Sequence, residues 1–284
     1  MRILLIGANG MLGKDIVQEW RDDELIPATS RDADIRNYSE VQRLITDTKP
    51  EWVVLTAAYT DVDGSERDPD AAFAVNSTGT ENVASVAEES GAKLLYVSTD
   101  YVFDGSGTRP YEPADAIAPI NVYGESKARG ERAIQKNMQD WCITRTSWLF
   151  GASGPSFPEK ILRAAETRTE LSVVADQTGS PTFTRDLATG IRDLVHAEAR
   201  GIVNVTNAGT CSWFEFASEI LRQAGRSAVR VKPIDTVQAA RAARRPGYSV
   251  LSPAALHALG IHVRHWKEAL ADYLAEMRRM GKLT

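Results

Sequence analysis

Short unbroken apolar runs alternate with longer amphipathic stretches through the first half of the chain. Ile3–Ile6, Leu25–Ala28, Trp52–Leu55 and Leu94–Val97 are each too short for a helix and apolar on consecutive positions, which predicts strands buried on both faces, and Cys142–Thr146 continues the pattern as a further strand. Between them, Lys14–Trp20, Ser39–Asp47, Asp70–Ser90 and the segment after Pro119 have helical spacing, and Gly91 sits where a helix ending at Ser90 would be capped. Strands separated by helices predict an α/β fold with a doubly wound parallel sheet of the Rossmann type. After a Gly/Ser/Pro loop at 151–158 the alternation loosens, with helices expected at Glu159–Glu166, Arg185–His196, Phe214–Gln223 and Trp266–Met280 and a strand at Ile202–Val205. The expected division is a sheet domain over 1–150, with a returning segment near 176–200, and a smaller mixed α/β C-terminal lobe from 151–175 and 201–284.

The first strand runs into Gly7-Ala-Asn-Gly10-Met11-Leu12-Gly13 and then into a helix. Strand, glycine turn and helix suit a dinucleotide: one glycine for the turn, one for close approach of a pyrophosphate, one for helix–strand packing. The phosphates then meet the free N–H groups at the helix start. The bland alternative is a glycine turn without ligand. The second strand ends in Thr29-Ser30-Arg31 with no acid to bind a ribose 2′-hydroxyl, so a 2′-phosphate, and hence NADPH, is preferred over NADH. Arg31 equally reads as a solvated loop charge. Asp34 follows, placed to accept from an adenine amino group, and the small residues after the third strand leave room for a flat ligand. The polar run Asn76-Ser-Thr-Gly79-Thr80-Glu-Asn82 is costly inside a buried helix unless its side chains find partners.

Composition narrows the function without choosing it. The 284 residues are 43% hydrophobic and 25% charged with a formal net charge of −5, which is ordinary for a globular protein and argues against general nucleic-acid binding. The basic run Arg241-Ala-Ala-Arg244-Arg245 is short and local. No apolar stretch is long enough to cross a bilayer, and two cysteines, Cys142 and Cys211, make no disulfide framework or zinc cluster, so a cytoplasmic setting is expected. His196, His257, His262 and His265 lack metal-site spacing, and no metal ligand set is assigned.

The chemistry is carried by Tyr123-Gly-Glu-Ser-Lys127, read with Ser98-Thr99. A tyrosine and a lysine four apart share a helix face, where the ammonium is expected to favour phenolate. A strand-end hydroxyl such as Thr99 then holds a carbonyl while the phenol gives or takes a proton. Such a pair also occurs on ordinary half-exposed helices, and Thr99 also reads as a sheet edge. Asp100 reads as a turn cap as well as a ligand group, and Trp148 as core as well as a platform for a sugar.

Together, Gly7-x-x-Gly10-x-x-Gly13, the Asn76–Asn82 helix segment, Ser98-Thr99 and Tyr123-x-x-x-Lys127 resemble the extended short-chain dehydrogenase/reductase family in order and spacing. Ser98–Gly105, Asn121–Lys127, Arg145–Gly151, and the later Asp176–Thr182 and Ala243–Pro246 segments resemble its dTDP-4-dehydrorhamnose reductase branch over essentially the whole chain. The resemblance implies an NADPH-dependent oxidoreductase in which 1–150 binds NADP(H) and the lobe binds a nucleotide sugar, for rhamnose-containing cell-surface polysaccharide. It implies Tyr123 as proton donor to the C4 oxygen, Lys127 as partner of phenol and nicotinamide ribose, and Thr99 as a second bond to that oxygen. Asp100 and Trp148 match substrate-contacting positions, while Gly10, Met11, Leu12, Asp34, Ile35, Ala58, Tyr59 and Thr60 match cofactor-contacting ones. A magnesium-linked dimer occurs among relatives, so a monomer or a homodimer is left open, as is Mg2+. Dehydratases of the family carry a glutamate where Tyr101 stands, which argues against elimination. Other 4-ketoreductases or epimerases, and a non-catalytic NADP-binding subunit like the regulatory subunit of methionine adenosyltransferase, are the rival readings.

Overall fold

The computed structural model describes residues 1–283. Its main sheet is built from β1 (Arg2–Ile6), β2 (Glu24–Ala28), β3 (Trp52–Leu55), β4 (Lys93–Thr99), β5 (Trp141–Thr146) and the Gly201–Asn204 strand. The order across the sheet is Gly201–Asn204, β5, β4, β3, β1, β2, with every pairing parallel. Consecutive residues of a strand point to opposite faces, so covering both faces explains the unbroken apolar runs. Ile3 and Leu5 pack with Leu12, Ile16, Leu187 and Ile191 on one side; Leu4 and Ile6 pack with Val41, Ile45, Val83 and Val86 on the other. β2 lies at an edge, where Pro27 costs no ladder bond on its outer side.

Helix α1 (Met11–Glu19) begins three residues earlier than expected, straight out of the glycine turn. Gly7 has φ +101° and lies so close to β3 that a Cβ would come within 2.5 Å of the Ala57 nitrogen. A Cβ on Gly13 would sit 2.2 Å from the Gly7 carbonyl oxygen, which is the close helix–strand packing expected of that glycine.

The helix expected over Asp70–Ser90 is three pieces. Pro69–Phe73 and Thr80–Glu89 are α-helical, and Ala74–Gly79 between them is a π-helix, the widened turn typical of functional positions. The two asparagines of the polar run have partners. The Asn76 side chain accepts from the Tyr59 N–H at 2.8 Å and donates to the Tyr59 carbonyl at 3.0 Å and the Ser126 hydroxyl at 3.0 Å. Asn82 donates to the Ile35 carbonyl at 2.9 Å. Gly91 follows in the left-handed conformation, as expected of a cap.

The second unit centres on Phe150, Phe183, Phe216 and Tyr273, enclosed by helices Phe157–Ala164, Trp213–Gln223 and Trp266–Arg279. Helix Thr184–His196 instead packs on α1 through Leu187, Ile191 and Leu194. The strand beginning at Gly201, expected in the lobe, pairs with β5 in the main sheet, because Ile202 and Val203 continue the ladder where β5 offers a free edge. A parallel pair of Glu170–Val174 with Arg230–Ile234 escaped sequence reading, since half of its side chains are charged or exposed.

Gly13→Ala is expected to cost about 1–3 kcal/mol through forced contact with the Gly7 carbonyl. Urea denaturation should show a lowered midpoint at unchanged slope.

Candidate active site

In this strand order the chain reverses direction across the sheet between β1 and β3, and ligands of such sheets bind beyond the carboxyl ends of the strands at that crevice. A cavity of about 940 Å³ lies there. Its floor is the end of β1 at Ile6 and Gly7, the end of β3 at Thr56 to Ala58, the end of β4 at Ser98 and Thr99, and the end of β5 at Thr146 to Trp148.

One end of the cavity is shaped for a dinucleotide. Gly10 and the first turn of α1 form the wall, no side chain caps the helix start, and its first turn carries no acid, so its N–H groups remain for an anion. Gly7, Gly10, Met11, Leu12, Asp34, Ile35, Ala58 and Thr60 all reach the cavity. Tyr59 does not; its backbone is tied down by Asn76. Arg31 is exposed and also off the wall, whereas Ser30 and Arg36 are on it. Arg36 is committed to Asp34, donating to both carboxylate oxygens at 3.0 and 2.6 Å, and this pair holds the Asp34 carboxyl below its usual range. The residues present therefore fit a dinucleotide, and the unexpected wall members Ser30 and Arg36 follow β2 as Arg31 does. The Gly151–Pro158 loop covers α1: Ser153 donates to Asp15 at 3.1 Å and Lys14 donates to the Ser153 carbonyl at 3.2 Å, while Thr184 bonds the other Asp15 oxygen.

At the other end stand Tyr123, Lys127, Thr99, Asp100 and Trp148, drawn from separate segments onto one wall. The helix Val122–Asn137 starts at Asn121, whose side chain accepts from the Gly124 N–H at 2.7 Å. Gly124 lets that first turn press on the Tyr101 backbone, where a Cβ would lie 2.1 Å from the carbonyl oxygen. Tyr123 and Tyr101 consequently meet edge to face at 5.9 Å. One turn on, the Lys127 ammonium donates to the Val97 carbonyl at 2.7 Å and lies 4.0 Å from the Tyr96 ring centre.

The expected lowering of the phenol by its lysine is overturned. Burial pushes Tyr123 up to about 12, against the neighbouring Thr99 hydroxyl, and pushes Lys127 down to about 7. Both charged forms lose their hydration in the folded chain, and that outweighs the helical pairing. Tyr123 is consequently the protonated partner near neutral pH, as a proton donor must be. Thr99 donates to Asp100 Oδ1 at 3.0 Å and accepts from the Tyr101 N–H at 3.2 Å. Asp100 is 2% exposed, and burial raises it to about 7 against the Ser249 and Thr99 hydroxyls.

Trp148 has φ +48°, a strained conformation for a bulky residue. The strain is held by packing: its ring stacks on Trp213 at 3.6 Å and 9°, and Gly179 leaves it room, since a Cβ there would lie 2.5 Å from the indole. Trp213 shares the cavity wall and was missed by sequence reading, because a tryptophan in an amphipathic helix reads as core.

Residues 1–279 match the RmlD substrate binding domain family. The chain belongs to that family. Among similar proteins, the spore coat polysaccharide biosynthesis protein SpsK of Bacillus subtilis is 39% identical, with 97% of each chain aligned. A dTDP-4-dehydrorhamnose reductase of Mycobacterium tuberculosis is 38% identical over 96% of this chain and 92% of that one. The crystal structure of dTDP-4-dehydrorhamnose reductase from Bacillus anthracis in complex with NADP is 40% identical and superposes with a TM-score of 0.94, covering 97% of this chain and 99% of that one. The family's fold is the one described above. Among the described residues no helix is long and apolar enough to cross a membrane, and no group of His, Cys, Asp and Glu side chains is arranged to hold a metal ion.

Asp100 supplies a pH test. Its acid form is favoured in the folded chain relative to the ordinary value of 3.8, so the native state binds more protons than the unfolded one between about 4 and 7. Stability from this group is full at low pH and is lost as pH rises through that window. Asp100→Asn is expected to flatten the decline, which thermal unfolding between pH 4 and 8 would show as a variant gaining on wild type as pH increases.

Proposed function

We propose that this chain reduces the C4 ketone of dTDP-4-dehydro-L-rhamnose with NADPH, giving dTDP-L-rhamnose for a rhamnose-containing cell-surface polysaccharide. The observation that carries the reading is the convergence of Tyr123, Lys127 and Thr99 on one wall of the cavity whose other end fits a dinucleotide. Relatives named for this reaction align along nearly the whole chain, and one holds NADP.

NADPH, when bound, supplies the hydride to C4. Negative charge then develops on the ketone oxygen, and the residues of this chain are set to meet it. The Tyr123 phenol, protonated at neutral pH, gives its proton to that oxygen. Thr99 turns its hydroxyl from Asp100 toward the same oxygen and stabilises the charge as it forms. Lys127 offsets the phenolate left behind. Trp148, backed by Trp213, gives the sugar a flat apolar surface, and Asp100 on the same cavity lining is the polar group offered to a sugar hydroxyl. At the adenosine end, Ser30 and the exposed Arg31 are the polar groups available to a 2′-phosphate, with Arg36 held on Asp34 beside them. Residues 1–150 with 176–200 form the cofactor side in this reading, and the Phe150-centred unit forms the sugar side.

Purified protein mixed with NADPH and the dTDP-4-keto sugar is expected to lose absorbance at the nicotinamide band. Tyr123→Phe should slow that loss at least about a hundredfold while NADPH still binds. Rapid residual turnover would remove Tyr123 from its role.

A further inference from the structure

Behind the Tyr123 helix lies an ion pair that the reaction does not touch. Glu131 is 1% exposed and Arg145 is 2% exposed. Arg145 grips the carboxylate with Nε at 3.0 Å from Oε1 and a terminal nitrogen at 2.7 Å from Oε2. The Ser98 hydroxyl donates to the same Oε1 at 2.5 Å. Arg145 also donates to the Pro113 carbonyl at 3.1 Å and lies 5.0 Å from the Phe103 ring centre. A buried pair of this kind is rarely worth more to stability than apolar residues of the same volume. Its position gives it other work.

Glu131 is one helical turn after Lys127, on the same face. Ser98, which holds the carboxylate, lies between Val97, whose carbonyl takes the lysine, and Thr99. Ser98 and Arg145 are also direct partners in the β4–β5 ladder, as are Thr99 and Thr146. The pair therefore joins the helix bearing Tyr123 and Lys127 to the strand end bearing Thr99. We propose that Glu131, clamped by Arg145 and Ser98, is a positioning residue of the ketoreductase site that holds Lys127 as an ammonium and fixes its helix over β4.

An ammonium has three protons to share, and among the described residues Lys127 finds only the Val97 carbonyl and the face of Tyr96. Burial alone drives it toward the neutral amine, and the charge opposing this is Glu131. The other ionisable groups around it are the phenols of Tyr96 on β4 and Tyr123 on its own helix, Asp100 after β4, and Arg145 on β5. The two phenols are neutral near pH 7, since burial raises both. Arg145 and Ser98 fix the carboxylate in place, and its charge is the one that opposes the loss of the lysine's proton.

This inference rests on the reading of Lys127 as part of a ketoreductase site, and its test is chosen to stand apart from turnover. The full chain is prepared with 13C-labelled lysine, the Lys127 signal is assigned by its loss in Lys127→Met, and its titration is followed by NMR in wild type, Glu131→Gln, Glu131→Asp and Arg145→Gln. Glu131→Gln should lower the Lys127 midpoint by about one unit, and Arg145→Gln, which leaves the buried carboxylate without its counter-charge and so favours its acid form, should lower it in the same direction. Glu131→Asp, which keeps the charge, should restore most of the wild-type midpoint and serves as the decisive comparison with Arg145→Gln if Glu131→Gln does not fold. The pH profile of NADPH oxidation should move in the same directions. All these variants lower the melting temperature under a purely structural role, but only an electrostatic one lowers the midpoint in Glu131→Gln and keeps it near wild type in Glu131→Asp. A midpoint unchanged in Glu131→Gln and Arg145→Gln, or lowered as far by Glu131→Asp as by Glu131→Gln, overturns the proposal. Wild type that consumes no NADPH overturns the proposed function instead, and leaves the titration to judge the charge coupling.

Discussion

One hydrogen bond joins the two halves of the candidate chemistry. The Lys127 ammonium reaches the Val97 carbonyl at 2.7 Å, across the gap between the Val122–Asn137 helix and β4. On the strand side, two residues further on, is Thr99; on the helix side, one turn back, is Tyr123. The contact is buried and lies beside an aromatic ring, where a hydrogen bond is electrostatically stronger than in water. Its cost is desolvation of a cation, and the Tyr96 ring face and the Glu131 carboxylate offset that cost.

Glycines set the distances on which this arrangement depends. Gly7 lets the turn lie against the end of β3 and Gly13 lets α1 approach the end of β1, which puts an uncapped helix end over the crevice. Gly124 lets the Tyr123 helix press on the Tyr101 backbone. Gly130 approaches the Asn76 carbonyl in the same way, where a Cβ would lie 2.4 Å away. The π-helical turn carrying Asn76 then couples the Tyr59 loop on the cofactor side to Ser126 on the catalytic side. The widened turn thus transmits position between the two ends of the cavity.

The C-terminal unit contributes shape more than reactive groups. Its aromatic column runs from Trp148 through Trp213 to Phe157 and Phe216, and it holds Trp148 in a strained backbone conformation at the cavity wall. The loop over α1 is fastened through Asp15, so the same unit that shapes the Trp148 end of the cavity also covers the start of α1.

The strands, their parallel order, the glycine turn and the Tyr123–Lys127 pairing were legible in the chain, because each depends on periodicity or on a residue type with a local conformational demand. Runs such as Ile3–Ile6 have no other way to bury both faces, and few residues besides glycine tolerate the φ of +101° at position 7. Electrostatics was not legible. Tyr123 and Lys127 look like a charge pair by spacing, yet burial, a property of the whole packed structure, shifts both away from their charged forms. Nor was Glu131 distinguishable from a solvated helix charge until β4 and β5 brought Ser98 and Arg145 against it. Local sequence determined which elements form; long-range packing decided which of their polar groups lose water, and that loss decides which can do chemistry.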